Sequence, residues 1–121
     1  MSDAIPVKIV SVPRYLGEQD GMHAFAYTIH ITNRGHETIQ LLDRHWFITH
    51  GNGNVEQVMG EGVVGETPEL APGQSFSYTS GALIPTRVGS MKGSYGFIAQ
   101  SGDKFRAEIP EFALAVPSAL N

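Results

Sequence analysis

Apolar and polar residues alternate along most of this chain with a period of two, the spacing of a strand with one buried and one wetter face. Phe25, Tyr27, Ile29 and Ile31 alternate with Ala24, Ala26, Thr28, His30 and Thr32. Ile5, Val7 and Ile9 open a similar strand that Pro13 is expected to end. Ile39 to Ile48 is β-rich, with Leu42, Trp46 and Ile48 in one parity that Arg44 interrupts. Phe76 and Tyr78, then Met91, Tyr95 and Phe97, then Phe105, Ala107 and Ile109 repeat the pattern, and Phe112, Leu114 and Val116 close it. No segment carries the 3.6-residue period of a long helix.

Turn signals fall between these runs: Asn33-Arg34-Gly35, Asn52-Gly53, Ala71-Pro72-Gly73 and Ser101-Gly102-Asp103. Asn52-Gly53 reads as a type I′ hairpin, which needs positive φ at both central residues. Pro110 is expected to interrupt the last hairpin, since proline cannot donate to a ladder. Seven or eight short strands punctuated this way predict an all-β fold, an antiparallel sandwich of the immunoglobulin or fibronectin III kind. The predicted core is Phe25, Tyr27, Ile29, Trp46, Ile48, Phe76, Tyr78, Tyr95 and Phe97. Residues 1–121 read as one domain, with 117–121 a loose tail.

Composition narrows the functional classes. The 121 residues are 41% hydrophobic and 17% charged, ordinary for a globular domain able to bury its own core. The net charge of −4 gives no general attraction to nucleic acid or to an anionic membrane, and the eight basic residues are too sparse for nonspecific DNA binding. The absence of cysteine excludes disulfides, thiol catalysis and thiolate zinc sites. No basic-then-apolar leader is visible in Met1 to Pro6 and no run approaches the ~20 apolar residues of a bilayer span. A cytoplasmic setting is the expectation.

Gly60-Glu61-Gly62-Val63-Val64-Gly65 spells G-x-G-x-x-G. A dinucleotide fingerprint needs a strand before it and a helix after it, with the helix N-terminus facing the pyrophosphate. Glu66-Thr67-Pro68-Glu69-Leu70-Ala71-Pro72-Gly73 is a poor helix, and no acidic residue lies near position 82 for the ribose. Two readings are left. Gly60, Gly62 and Gly65 allow bends and close strand approach, or their N–H groups form a nest that holds an anion without a helix.

Other chemistry is thin. Among His23, His30, His36, His45 and His50, none has helical ligand spacing; Asp43 and His45 share a strand face but show no third ligand, and His23 and His36 sit beside turns, in solvent. Gly89-Ser90-Met91-Lys92-Gly93 lacks the strand–turn–helix setting of a nucleophile elbow. Thr79 and Ser80 are expected to bond nearby backbone. No catalytic residue, metal ligand or cofactor is assigned, and enzymatic activity is not expected.

Several segments in order carry a likeness to a known family: Phe25-Ala26-Tyr27-Thr28, Gln40-Leu41-Leu42, Arg44-His45-Trp46-Phe47-Ile48-Thr49, Gly51-Asn52-Gly53, the glycine segment, Tyr78-Thr79-Ser80-Gly81 and Ile109-Pro110-Glu111-Phe112. From Val7 to Pro117 the chain resembles the ApaG family, departing at His45, Phe47 and His50. The resemblance implies a fibronectin III-like sandwich in a small cytoplasmic bacterial protein linked to cobalt and magnesium homeostasis. It also implies binding rather than catalysis: contact with an unidentified protein partner or, alternatively, pyrophosphate or a diadenosine polyphosphate held by Gly60 to Gly65. Oligomeric state, homo-oligomers included, is left open.

Overall fold

A computed structural model describes residues 6–120. Eight strands follow one another: β1 (Val7–Gln19), β2 (Met22–Asn33), β3 (Ile39–His50), β4 (Val55–Glu61), β5 (Glu69–Leu70), β6 (Ser75–Ile84), β7 (Val88–Ala99) and β8 (Lys104–Ala115). They form two antiparallel sheets. One has the order β1-β2-β6; the other runs β4-β3-β7-β8, with the short β5 also beside β3. The expected β-sandwich is therefore the fold. Pro117–Leu120 make a single 3-10 turn where a loose tail was expected, and the Arg87 guanidinium donates to Ser118 Oγ at 2.5 Å. Ile5 lies outside the described residues.

The core sits between the sheets. All nine predicted core residues except Phe76 are buried, and Phe76 packs against them half-covered. Trp46, 2% exposed, is the centre: its ring meets Tyr27 at 5.4 Å, Phe112 at 6.0 Å and Tyr95 at 6.2 Å, all edge-on. Edge-on pairs at these spacings suit the aromatic quadrupole and join three strands to β3.

Three strand details differ from the sequence reading, each through backbone hydrogen bonding. β3 does not keep one parity. Leu41 faces Phe97 and Asp43 faces Gly96, so Leu42 is an extra residue in a bulge. That bulge re-phases the strand, burying Leu41 at 1% exposure and turning Leu42 aside. Arg44 keeps the parity of Trp46 and Ile48 and so lies on the inner face with them.

Pro13 does not end its strand. Arg34 N–H bonds Pro6 O at 2.8 Å, so the even-numbered residues of β2 bond to β1. Pro13 pairs with odd-numbered Tyr27, and its nitrogen therefore points away from β2 on a sheet edge, where no donor is needed. Pro110 does interrupt the last hairpin as expected: it lies in a β8 bulge, since Gly93 pairs with Ile109 but Met91 with Phe112.

The Asn52-Gly53 hairpin joins Thr49 to Val55 as expected, but it is not type I′. Gly53 has φ 91° while Asn52 keeps negative φ. Gly53 N–H donates to His50 O at 2.9 Å, and Asn52 Oδ1 accepts from Asn54 N–H at 3.0 Å. One left-handed glycine after an ordinary turn closes this longer loop.

Candidate functional site

The glycine segment begins as strand and ends as a turn. Gly60 belongs to β4 and faces Arg44 across the ladder. Beyond Glu61 the chain folds back on itself: Val63 N–H donates to Glu66 O at 2.8 Å and Glu66 N–H to Val63 O at 2.9 Å. The two residues between them, Val64 and Gly65, have φ 42° and 81°. Both values are positive, as a type I′ turn requires. The primed turn thus lies here, twelve positions after the pair that advertised one.

Each glycine has a steric reason. A side chain on Gly60 would meet the Arg44 guanidinium at 2.9 Å, because that group lies flat over the glycine. At Gly62, with φ 66°, a Cβ would collide with the Glu66 carbonyl oxygen. Gly65 takes the left-handed turn position. The donors are largely engaged as well: Gly62 N–H bonds Leu42 O at 2.8 Å, alongside the Val63 and Glu66 bonds. The N–H groups of Val64 and Gly65 carry no such bond.

Arg44, which sequence parity marked only as an interruption, is the cation that lies against this segment. Its Nη1 donates to Gly62 O at 2.9 Å and Glu61 O at 3.1 Å. The ion pairs among the described residues are Arg106–Asp43 at 2.8 Å and His50–Glu56 at 3.1 Å, so Arg44 has no carboxylate. Inward of it lies a polar cluster in the core. The Tyr78 and Tyr95 hydroxyls share a short hydrogen bond, and Trp46 Nε1–H is turned towards Tyr78 without a bond of good geometry. Burial pushes the Tyr78 phenol up to about 12 and raises those of Tyr95 and Tyr27; for Tyr27, a Ser80 hydrogen bond and the Arg44 charge oppose the rise.

The other sequence candidates do not assemble. Asp43 and His45 share the outer face, but Asp43 pairs with Arg106 and His45 Nε2 meets Gln57 Oε1 at 3.0 Å. Ser90, within β7, donates to Glu111 at 3.0 Å. Thr79 bonds Thr28 Oγ1 at 2.8 Å across the ladder, not nearby backbone. His23, expected in solvent, is half-buried and bonded to Tyr15 Oη at 3.0 Å. No group of three or more His, Asp or Glu that could hold an ion occurs among the described residues. Near the start of β3 a cavity of about 550 Å³ opens between Asn33, His36, Ile39 and Phe105.

The sheets also differ in width. β1 packs against β8, and sheet order then leaves β4 projecting beyond β6 on the opposite side. This open side carries Arg44, the glycine segment and two free strand edges. Sequence reading missed it, although one signal was present: from Leu70 to Thr86 the chain has no charged residue.

A family model, the ApaG domain, matches residues 14–99, the span holding Arg44, the glycine segment and β6. The chain belongs to the ApaG family. Protein ApaG of Pseudomonas putida strain F1 is 52% identical over 95% of this chain and 94% of its own length. Protein ApaG of Stenotrophomonas maltophilia is 44% identical over 99% and 98%. Among solved structures, a Northeast Structural Genomics Consortium target superposes with a TM-score of 0.93 at 40% identity, covering 96% of this chain and 91% of its own. A protein from Bordetella pertussis described as ApaA gives 0.88 at 44% identity, covering 92% and 94%. No helix among the described residues is long and apolar enough to cross a membrane.

Proposed function

We propose that this ApaG-family chain is a noncatalytic interaction module that binds a protein partner through the open side of its sandwich. One observation carries the reading. Of the eight large hydrophobic side chains exposed among the described residues, four lie on or beside β4 and β6: Val55 at 57%, Met59 at 69%, Val64 at 53% and Leu83 at 47%. Exposed apolar groups beside free strand edges mark contact surfaces; Val55 and Met59 stand on the outer face of β4, opposite the inward Val58 and Gly60. Val64 adds to this, because a β-branched residue at φ 42° is strained and such strain collects at functional positions. A cytoplasmic setting and a link to cobalt and magnesium homeostasis, both implied by the family resemblance, belong to the same reading. The test is affinity capture from the source cell with wild type and Met59→Lys in parallel, repeated with purified components. A partner that binds at micromolar concentration and is weakened at least tenfold by Met59→Lys supports the proposal; a partner indifferent to it, or no partner, overturns it.

A second reading has one observation in its favour. Arg44 Nη1 is engaged by carbonyls, while Nη2 lies over Gly60 and, in the turn that follows, the N–H groups of Val64 and Gly65 carry no backbone bond. Pyrophosphate or a diadenosine polyphosphate would be recognised by that guanidinium more than by a nest, since Gly62, Val63 and Glu66 already donate internally. Calorimetry at millimolar pyrophosphate, with and without magnesium, decides it: no heat from wild type overturns this reading, and heat lost in Arg44→Gln supports it. Gly62→Ala is unsuited to that test, because its methyl group would break the turn itself.

A further inference from the structure

Four strand edges close this sandwich laterally, and three of them carry devices that discourage a further strand. β1 has Lys8, Arg14, a proline whose nitrogen faces outward, and a bulge between Tyr15 and Gly17. β8 has Lys104, Arg106, Glu108, Pro110 and Glu111, with a bulge between. β4 is short and carries Glu56 and Glu61. β6 has none of these. It runs ten residues, Ser75–Ile84, with no charge, no proline and an unbroken register against β2.

Its free edge can be assigned residue by residue. Asn33 N–H donates to Gln74 O at 2.9 Å and Asn33 O accepts from Gly73 N–H at 2.8 Å, so odd-numbered residues of β2 bond towards β6. By strict alternation Phe76, Tyr78, Ser80 and Ala82 answer them. The N–H and C=O groups of Ser77, Thr79, Gly81 and Leu83 then point outward, and among the described residues no strand pairs with them. Small side chains at Ser77, Thr79 and Gly81 leave that edge open to close approach.

Beneath the edge lies the projecting β4. Val58 pairs with Trp46 and Gly60 with Arg44, so both face inward, under the space where a strand beside β6 would run. We infer that this space is a slot for one extended segment of a partner protein, added antiparallel or parallel to β6 and resting on β4. The inference rests on the interaction-module reading and names the surface it uses. An antiparallel join of β6 to the β6 of a second copy would drive each projecting β4 into the other copy's sheet, whereas a lone segment meets no such obstacle. A lone strand needs about 4.8 Å of width and about seven residues to cover Ser77 to Leu83. Its inward residues should be apolar against Val58 and Phe76, with a carboxylate for Arg44, which has none among the described residues. Backbone bonds would supply affinity and the alternate side chains specificity.

The experiment is selection from a phage-displayed library of random twelve-residue peptides, followed by synthesis of the selected peptides and nuclear magnetic resonance on the whole chain. Selected peptides should show alternating apolar positions with an acidic residue, and should slow amide exchange at Ser77, Thr79, Gly81 and Leu83. Thr79→Pro removes one outward donor, as Pro13 already does on β1, and should weaken binding at least tenfold; Thr79→Ala keeps the donor and should stay within threefold. Should Thr79→Pro fail to fold, peptides N-methylated at alternate residues test the same bonds with wild type and should lose binding. Selection of no peptide, or peptides indifferent to Thr79→Pro and to N-methylation, overturns the assignment. So does a wild-type dimer that Thr79→Pro makes monomeric, which would place a second copy on the edge. A cellular partner that binds Thr79→Pro as well as wild type, yet fails on Met59→Lys, removes the slot and leaves the interaction module standing.

Discussion

The two lateral sides of this sandwich are built from the same kind of strand and finished differently. On one side β1 packs against β8, and prolines, bulges and charges stand along both edges. On the other, β4 projects past an uncharged β6, Arg44 lies over Gly60 with no carboxylate among the described residues, and Met59 is 69% exposed. An edge strand left bare is a liability in a soluble protein unless something is meant to pair with it. The contrast teaches that Pro13, read locally as the end of a strand, and Pro110, which interrupts the last hairpin, both act here as guards of edges whose strands run on past them. The functional signal is a stretch where such guards are missing.

Both sides hang on the core between them, so the largest break is there. Trp46→Ala removes the ring that Tyr27, Tyr95 and Phe112 all pack against and leaves a cavity at the centre. The expected loss is about 3–5 kcal/mol, read by denaturant unfolding. A loss confined to one side, seen as amide protection retained in β1 and β8 alone, would mean the two sides are separate folding units.

Alkaline pH tests the same core through its phenols. Tyr78, Tyr95 and Tyr27 have folded values raised above the ordinary 10, Tyr78 to about 12. A raised value means the folded state holds the proton more tightly. Its contribution is complete below pH 10 and is lost as pH climbs through the folded value, about 3 kcal/mol from Tyr78 alone between pH 10 and 12. Thermal melts should therefore be flat from pH 7 to 9 and fall steeply above 10, and Tyr78→Phe should flatten that fall. A melt unchanged at pH 11 would contradict the burial of these phenols.

On the open side, Val64 holds a β-branched side chain at φ 42° in a type I′ turn. Asparagine tolerates that region far better. Val64→Asn should stabilise the protein by about 1 kcal/mol, measured by the shift of the unfolding midpoint. If partner binding weakens while stability rises, the strained turn belongs to the contact surface.

Alternation made the sheets and nearly all of the core legible in sequence, because a half-buried strand must repeat with period two. What it could not place were events of hydrogen-bond geometry. The extra residue at Leu42 decides that Leu41 and not Leu42 is buried, and nothing in Gln40-Leu41-Leu42-Asp43 announces it. Asn52-Gly53 carried the strongest turn composition, yet the primed turn formed at Val64-Gly65, where Val63 and Glu66 pair back to back. Composition is a weak guide to turn type when tertiary contacts set loop length. The glycine pattern was visible, but the group it makes room for is a guanidinium from β3, and that juxtaposition exists only once the strands are paired. The bare edge is a property of what is missing from a strand, and pattern matching looks for what is present.

The smallest expected effect is the sharpest comparison of inside with open side. Met91 and Met59 are the same side chain on neighbouring strands of β3, one 1% and the other 69% exposed. Met91→Ala should cost about 2–5 kcal/mol, as buried methionines do. Met59→Ala leaves nothing buried unsatisfied and no cavity, so stability should move by less than about 0.5 kcal/mol. An exposed methionine is costly to solubility and adds almost nothing to folding, and it adapts to irregular apolar surfaces. Its worth to this chain lies in what it touches when bound. Met59→Ala should therefore weaken a partner several-fold at unchanged melting temperature, and a partner bound as tightly by the variant as by wild type would remove Met59 from the contact surface.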